Sequence, residues 1–230
     1  MNGLLSTPIF WLAVTLGVFT LADHLSHRSN RHPLCHPVLL ATPVLIGLLV
    51  VTHTPYPTYQ SATSPLSFLL GPAVVGLAVP VYARRQLIRR IAVPIMLALS
   101  VGAITAIVSA VGILLLFGAP RAILASIALR ATTTPVAMAM AAQLGGIPSL
   151  AAVIALFAGV VGAMTATPLF NALRIRDYRA RGFAVGVSSH GIGAARAFQV
   201  DSVAGSFASL GMALNAVATT SLLTLLALLL

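Results

Sequence analysis

The chain has 230 residues, 59% of them hydrophobic and 7% charged, with a mean hydropathy of +1.03. Soluble domains carry about a quarter charged residues, so this composition excludes an ordinary soluble protein and indicates an integral membrane protein with several spans. All 13 basic residues are arginines, set against Asp23, Asp177 and Asp201 for a formal charge of +10; in a soluble chain that excess suggests nucleic acid, but here the arginines cluster between apolar runs, as the positive-inside rule requires.

Cys35 stands alone, which leaves no internal disulfide, and no His/Cys spacing suggests a metal. Four of the six histidines surround the first loop, where a solvated loop explains them. No basic n-region or A-x-A site marks the N-terminus, so a retained first span is expected rather than a signal peptide.

A first apolar span is expected from Pro8 to Ala22, followed by a loop with Arg28 and Arg31. A second covers Leu34 to Val51. The loop His53 to Ser64 lacks arginine, and a third span covers Leu66 to Tyr82, with a kink at Gly71-Pro72. Arg84 to Arg90 holds four arginines before a fourth span, Ile91 to Phe117. Loops alternate in charge, and Tyr56, Tyr59, Tyr82 and Tyr178 fall at span ends, where interfacial tyrosines belong.

The fifth segment runs from Gly118 to Gly145-Gly146 and contains Leu129-Arg130-Ala131-Thr132-Thr133-Thr134-Pro135. Thr134 is a good N-cap and Pro135 suits the first turn of a helix, so a helix is expected to begin inside an apolar segment. The next span, Ile147 to Leu173, runs into the arginine-rich loop 174–181. If that loop faces inward, the fifth segment starts and ends on one side. A re-entrant hairpin over 119–145 satisfies this; a single broken crossing violates the charge rule at one loop. A seventh segment, Gly182 to Asp201, is interrupted at Ser188-Ser189-His190-Gly191-Ile192-Gly193, and Val203 to Leu230 completes the set. The expected fold is therefore all-α: a polytopic membrane protein forming a single integral domain over 1–230. It has about seven or eight hydrophobic segments and interrupted helices near 130–135 and 188–193.

Helix starts at bilayer depth leave backbone N–H groups open and make a place for an anion. Arg130 lies nine residues beyond Arg121, roughly 13 Å deeper if helical, and Arg196 lies fifteen beyond Arg181, roughly 22 Å along a helix. Both depths fall within a hydrocarbon core of about 30 Å. An arginine there costs at least about 2.5–3.5 kcal/mol, so an external anion is a natural counter-ion; snorkelling to the interface is the alternative. The candidate binding set is Arg130, Thr132, Thr133, Thr134, Ser188, Ser189, His190, Gly191, Gly193 and Arg196, with Pro135 as helix-breaker and Gln143 and Asn215 as secondary candidates. His190 either contacts the substrate or a coupled proton, or caps the unwound turn. Gly191-x-Gly193 follows no strand and is no nucleotide motif. Ser188-Ser189-His190 is no nucleophile–base pair, since adjacent residues face apart and no acid orients the imidazole. No enzymatic activity and no cofactor are expected.

The strings "LLGPAVVGLAVPVY", "TTTPVAMAMAAQLGGIPSL", "RIRDYRARGFAVGVSSHGIGAARAF" and "GMALNA" closely resemble the LrgB family of antiholin-like membrane proteins, which includes the CidB proteins and the C-terminal half of the plastidic glycolate/glycerate translocators. The resemblance covers nearly the whole chain. It implies either transport of small 2-hydroxy or 2-oxo monocarboxylates (glycolate, glycerate, lactate or pyruvate class), or a holin/antiholin-like modulation of murein hydrolases and lysis. It also implies a multi-pass protein of the bacterial inner membrane, with a small LrgA-type membrane partner and homo-oligomers and no nucleic acid. Three positions depart from the family's pattern. Arg130 stands where lysine is typical, while Ala142 and Gln199 stand where acids are usual, so proton coupling here can differ from that of relatives.

Overall fold

The structure is a computed structural model that describes residues 7–29, 32 and 35–229. Arg31, Leu34 and Leu230, which bound the first loop, the second span and the last run in the sequence reading, lie outside the described residues. The described residues contain helices and no strand, as the composition requires of a chain that must satisfy its backbone internally in lipid. Among the described residues, five stretches are long and apolar enough to cross a membrane: Pro8–Arg28, Ser64–Ala83, Ala92–Leu116, Pro148–Ala172 and Ser202–Leu228. Of the seven or eight hydrophobic segments expected, these five are long enough to span. Pro37–Val51 is apolar but short, and two of the other segments are bent back on themselves, as described below.

The chain divides into two compact units, 1–76 and 77–230. In the first, α1 (Pro8–Arg28) packs against α2 (Pro37–Val51) and α3 (Tyr56–Ala62), and α4 (Ser64–Gly76) follows. Trp11 anchors this unit. It is buried, stands edge-on to Phe10 and Tyr59, and lies beside a hydrogen bond of 3.1 Å between Thr15 Oγ1 and the Tyr59 hydroxyl.

The second unit comprises α5 (Ala78–Ala83), α6 (Arg85–Arg90), α7 (Ala92–Leu116), α8 (Arg121–Ile127), α9 (Thr134–Gln143), α10 (Pro148–Ala172), α11 (Tyr178–Val200) and α12 (Ser202–Leu229). Its axis is α10, 25 residues long and so about 37 Å at 1.5 Å per residue. A helical hairpin stands at each end of that axis.

The first hairpin is α8 and α9. Ile147 N–H, just before α10, donates to Ser126 Oγ on α8 across 2.8 Å, and a Cβ on Gly146 would meet the Ser126 backbone nitrogen at 3.2 Å. A continuous crossing would carry residue 147 some 30 Å from residue 126. The segment therefore enters and returns, as the re-entrant reading of 119–145 anticipates.

The second hairpin lies within α11, whose regular φ/ψ fails at His190 (φ 41°, ψ −132°). Residues 178–189 run parallel to the first half of α12: Gly182 meets Ala204, Gly186 meets Ala208, and Val187 meets Asn215. Only Asp201 separates α11 from α12, so residues 191–200 must double back to bring Val200 beside Ser202. Gly193 accordingly packs against Val185 and Ser189 of the outgoing half, and Gly205 against Phe198.

The parallel contact of α11 with α12 is close because the facing residues are small. Gly182 and Gly186 oppose the backbone carbonyls of Ala204 and Ala208, and a side chain at either glycine would occupy the same space as those carbonyls. Small residues four apart let helix backbones approach where lipid offers no hydrophobic drive. Asp177 caps α11 by accepting from Arg179 N–H at 2.8 Å, and Asp201 caps α12 by accepting from Val203 and Ala204 N–H. Arg84 donates to Ser206 Oγ (2.8 Å) and Ser202 Oγ (3.3 Å), tying the first arginine cluster to the start of α12.

Candidate functional site

The two hairpin tips meet against the middle of α10. At the first tip, α8 stops at Ile127 and the chain turns through residues 128–133. Thr132 is buried, and both its N–H and its hydroxyl donate to the Leu129 carbonyl. Its role is to close the turn. The cap of α9 is Thr133, one residue before the position expected from the sequence, with Pro135 in the first turn; a shift of one residue is within the ordinary uncertainty of helix ends. Thr133 makes no side-chain cap bond, so its hydroxyl leaves the first amides of α9 uncovered. Thr133 and Thr134 are half-buried and Pro135 is exposed. Buried Ala128, Leu129, Ala137, Met140 and Ala141 fix this hairpin against Ala151 and Ala155 of α10.

At the second tip, the imidazole of His190 is buried and its Nε2–H donates to the Ala155 carbonyl at 2.8 Å. Positive φ is uncommon for a residue with a side chain and costs of order 1–3 kcal/mol, so this contact and its packing must hold the bend. Two glycines of α10 give the tip its room. A Cβ on Gly159 would lie 2.7 Å from His190 Cε1, and one on Gly162 would overlap the Ser189 hydroxyl. Ser189 is buried and Ser188 exposed, with their hydroxyls 3.1 Å apart. The returning half begins at Gly191, so a second helix N-terminus starts here.

Asn215 joins the tips. It is fully buried on α12, and its Nδ2 donates to the Ala131 carbonyl at 2.8 Å and to the Val187 carbonyl at 3.1 Å, while its Oδ1 accepts from the Thr219 hydroxyl at 3.3 Å. One amide group thus covers an interrupted carbonyl from each hairpin. The sequence marks Asn215 as the strongly polar side chain of the last run and as a secondary binding candidate, but not as a bridge between the two interruptions.

The remaining candidates lie elsewhere. Arg130 is half-buried and turns toward α7, where its Nη2 donates to the Ala106 carbonyl (3.3 Å) and Ser109 Oγ (3.4 Å). Gln143 is exposed at the far end of α9. Arg196 is on the returning half of α11 and faces a cleft that also contains Arg181. It is therefore not at the depth that a straight helix from Arg181 would give. Gly159, Gly162 and the Gly182-x-x-x-Gly186 spacing are absent from the sequence reading. The last is legible as a small-residue motif; the first two acquire meaning only once the hairpin is placed on α10.

Two opposed helical hairpins meeting at a polar residue among membrane-length helices define a polytopic α-helical membrane protein with interrupted helices at its centre. The chain belongs to the LrgB-like family, whose model matches residues 15–229. It is 33% identical over 210 residues to the uncharacterized protein YxaC of Bacillus subtilis (strain 168), covering 90% of this chain and 91% of that one. It is also 33% identical over 183 residues to the uncharacterized protein YwbG of the same organism, covering 80% and 81%. A third relative, an uncharacterized protein of Haemophilus influenzae, is 29% identical over 201 residues, covering 87% of each. No solved structure matches the chain.

Proposed function

We propose that this protein is a secondary carrier of small 2-hydroxy or 2-oxo monocarboxylates, of the glycolate, glycerate, lactate and pyruvate class, and not an enzyme. The observation that carries this reading is the meeting of the two hairpin tips at Asn215. It sets the N-terminus of α9, at Thr133 and Thr134, and that of the returning half of α11, at Gly191 to Gly193, in the same region of the molecule. Each helix N-terminus carries roughly half a positive charge on its open amides, and in a water-poor interior that charge acts on an anion far more strongly than in water. The hydroxyls of Thr133, Thr134 and Ser188 add donors, and His190 is the group placed to couple anion movement to a proton. Carriers of inverted-repeat type place their substrate where discontinuous helices meet at mid-membrane, and hairpins at opposite ends of α10 suit that arrangement. The expected setting is the bacterial inner membrane, with a homo-oligomer and a small LrgA-type membrane protein as partners.

The test is uptake of labelled glycolate, lactate and pyruvate into proteoliposomes containing the full chain, with and without the LrgA-type partner. Saturable uptake is expected, reduced tenfold or more by Thr133→Ala with Ser188→Ala. No uptake of any acid above empty vesicles, with the partner supplied, would overturn the carrier. Unsaturable leakage of an unrelated dye would instead favour the holin/antiholin-like modulation of murein hydrolases.

A further inference from the structure

We infer that the groove between the start of α7 and the outgoing half of the second hairpin holds one acyl chain of an anionic phospholipid, whose phosphate pairs with Arg89 and Arg90. The groove has a volume of about 270 Å³. A dry apolar cavity of about 150 Å³ takes up benzene, so a longer run of hydrocarbon fits here. The groove reaches down to Ile95, Phe183 and Phe207, a buried cluster built by α7, α11 and α12. Ala98 of α7 and Ala180 of α11, both exposed, also line it, and their small side chains leave it open.

The rim of the groove is basic. Ile91, which ends α6, lines it, and Arg89 and Arg90 directly precede Ile91. Arg84 is bonded to Ser202 and Ser206, and Arg85 lies 4.4 Å over the Tyr82 ring. Arg89 and Arg90, by contrast, are exposed and have no ion pair among the described residues. Asp177 and Arg179 also line the groove, but that pair, 2.6 Å apart, cancels its own charge. The field left at the rim is therefore positive and selects an anion. Both arginine runs lie on the side that the positive-inside rule assigns to the cytoplasm, where basic clusters beside membrane helices attract anionic headgroups. A phosphate at the rim and a chain in the groove match the two parts of one lipid. A partner helix is 10–12 Å wide and needs a longer seam than Ile91 to Ala98, which rises only about 10 Å.

The test is native mass spectrometry of the full chain released from detergent containing equal amounts of phosphatidylglycerol and phosphatidylcholine. Expected is one retained phosphatidylglycerol per chain, preferred about tenfold over phosphatidylcholine. Arg89→Gln with Arg90→Gln is expected to cut that preference to about twofold or less. Ala98→Phe fills the groove and is expected to lower retention of both lipids about fivefold or more. Ala180→Phe fills it from α11 and serves where Ala98→Phe does not fold. Val101→Phe, on an exposed position of α7 outside the groove, is expected to retain lipid as the parent chain does. Retention unchanged by Ala98→Phe and Ala180→Phe overturns the site, as does a preference that survives loss of both arginines. A dimer broken by Ala98→Phe with lipid retention unchanged gives the groove to a second copy of the chain and overturns it too. None of these outcomes depends on whether the chain carries monocarboxylates.

Discussion

The side-chain nitrogen of Asn215 lies 2.8 Å from the carbonyl oxygen of Ala131, eighty-four positions earlier in the chain. The same nitrogen reaches Val187, so removing it strips the donor from two buried carbonyls at once. An unsatisfied buried polar group costs about 1–3 kcal/mol. Asn215→Ala is expected to lower thermal stability in detergent by about that amount or more. Thr219→Val, which removes only the bond to Asn215 Oδ1, is expected to cost about 0.5–1.5 kcal/mol. Unfolding followed by circular dichroism measures both, and equal melting of Asn215→Ala and the parent chain would show that the bridge carries no stability.

Two glycine substitutions in the second unit are expected to act in opposite directions. Gly186→Ala puts a methyl group into the Ala208 carbonyl and must separate α11 from α12, a form of overpacking that costs about 1–3 kcal/mol or more. Gly112→Ala meets nothing within 4 Å on a helix interior and is expected to stabilise by about 0.4–1 kcal/mol through loss of unfolded-chain freedom. The same thermal melts compare them.

The room that α10 leaves for the second tip allows a double-mutant test. Gly162→Ala collides with the Ser189 hydroxyl and its Cβ, while the next neighbour, Ser188 Oγ, stands 3.9 Å away. Gly162→Ala alone is therefore expected to abolish uptake and lower stability, and adding Ser189→Gly is expected to restore a large part of the stability. A coupling energy of about 0.5–3 kcal/mol between the two changes is the expected signature of contact. Strict additivity would show that the two residues do not touch.

Asp177 supplies a pH dependence. The side-chain hydrogen bond from Arg179 foremost, with that residue's backbone N–H and charge, holds the Asp177 carboxyl below the usual carboxylate range against a weaker opposing effect of burial. A carboxyl depressed on folding binds fewer protons in the folded state, so stability rises with pH. Its contribution is full above the unfolded value of about 3.9 and fades as pH falls below that. Asp177→Asn keeps a good N-cap but removes the titration. Expected is a small gap in melting temperature between parent and Asp177→Asn at pH 6 that closes toward pH 3; a gap that widens on acidification would contradict the sign.

Much of this architecture is legible in the residues, and the rest is lost for identifiable reasons. Thr-Thr-Thr-Pro marks a helix start because threonine caps and proline lacks the N–H that an interior position needs, and the arginines of 174–181 favour a return of residues 119–145 to their own side over a broken crossing. The second hairpin is harder to read, since its bend rests on His190 rather than on a glycine or proline. Counting straight from Arg181 therefore placed Arg196 about 22 Å away, whereas the fold brings both to one cleft. Asn215 reads as an isolated polar residue because its partners are backbone carbonyls 28 and 84 positions away, and backbone groups leave no trace in a sequence.

The most direct measurement reads two single cysteines, at Thr133 and at Ser188, in the full chain with Cys35→Ser, reconstituted in sealed vesicles. If the opposed hairpin tips share one acid-binding place, impermeant reagents reach Thr133→Cys and Ser188→Cys from opposite faces of the membrane, and glycolate shields both over the same concentration range. Access to both from one face, or shielding of neither by any small monocarboxylate, would contradict it.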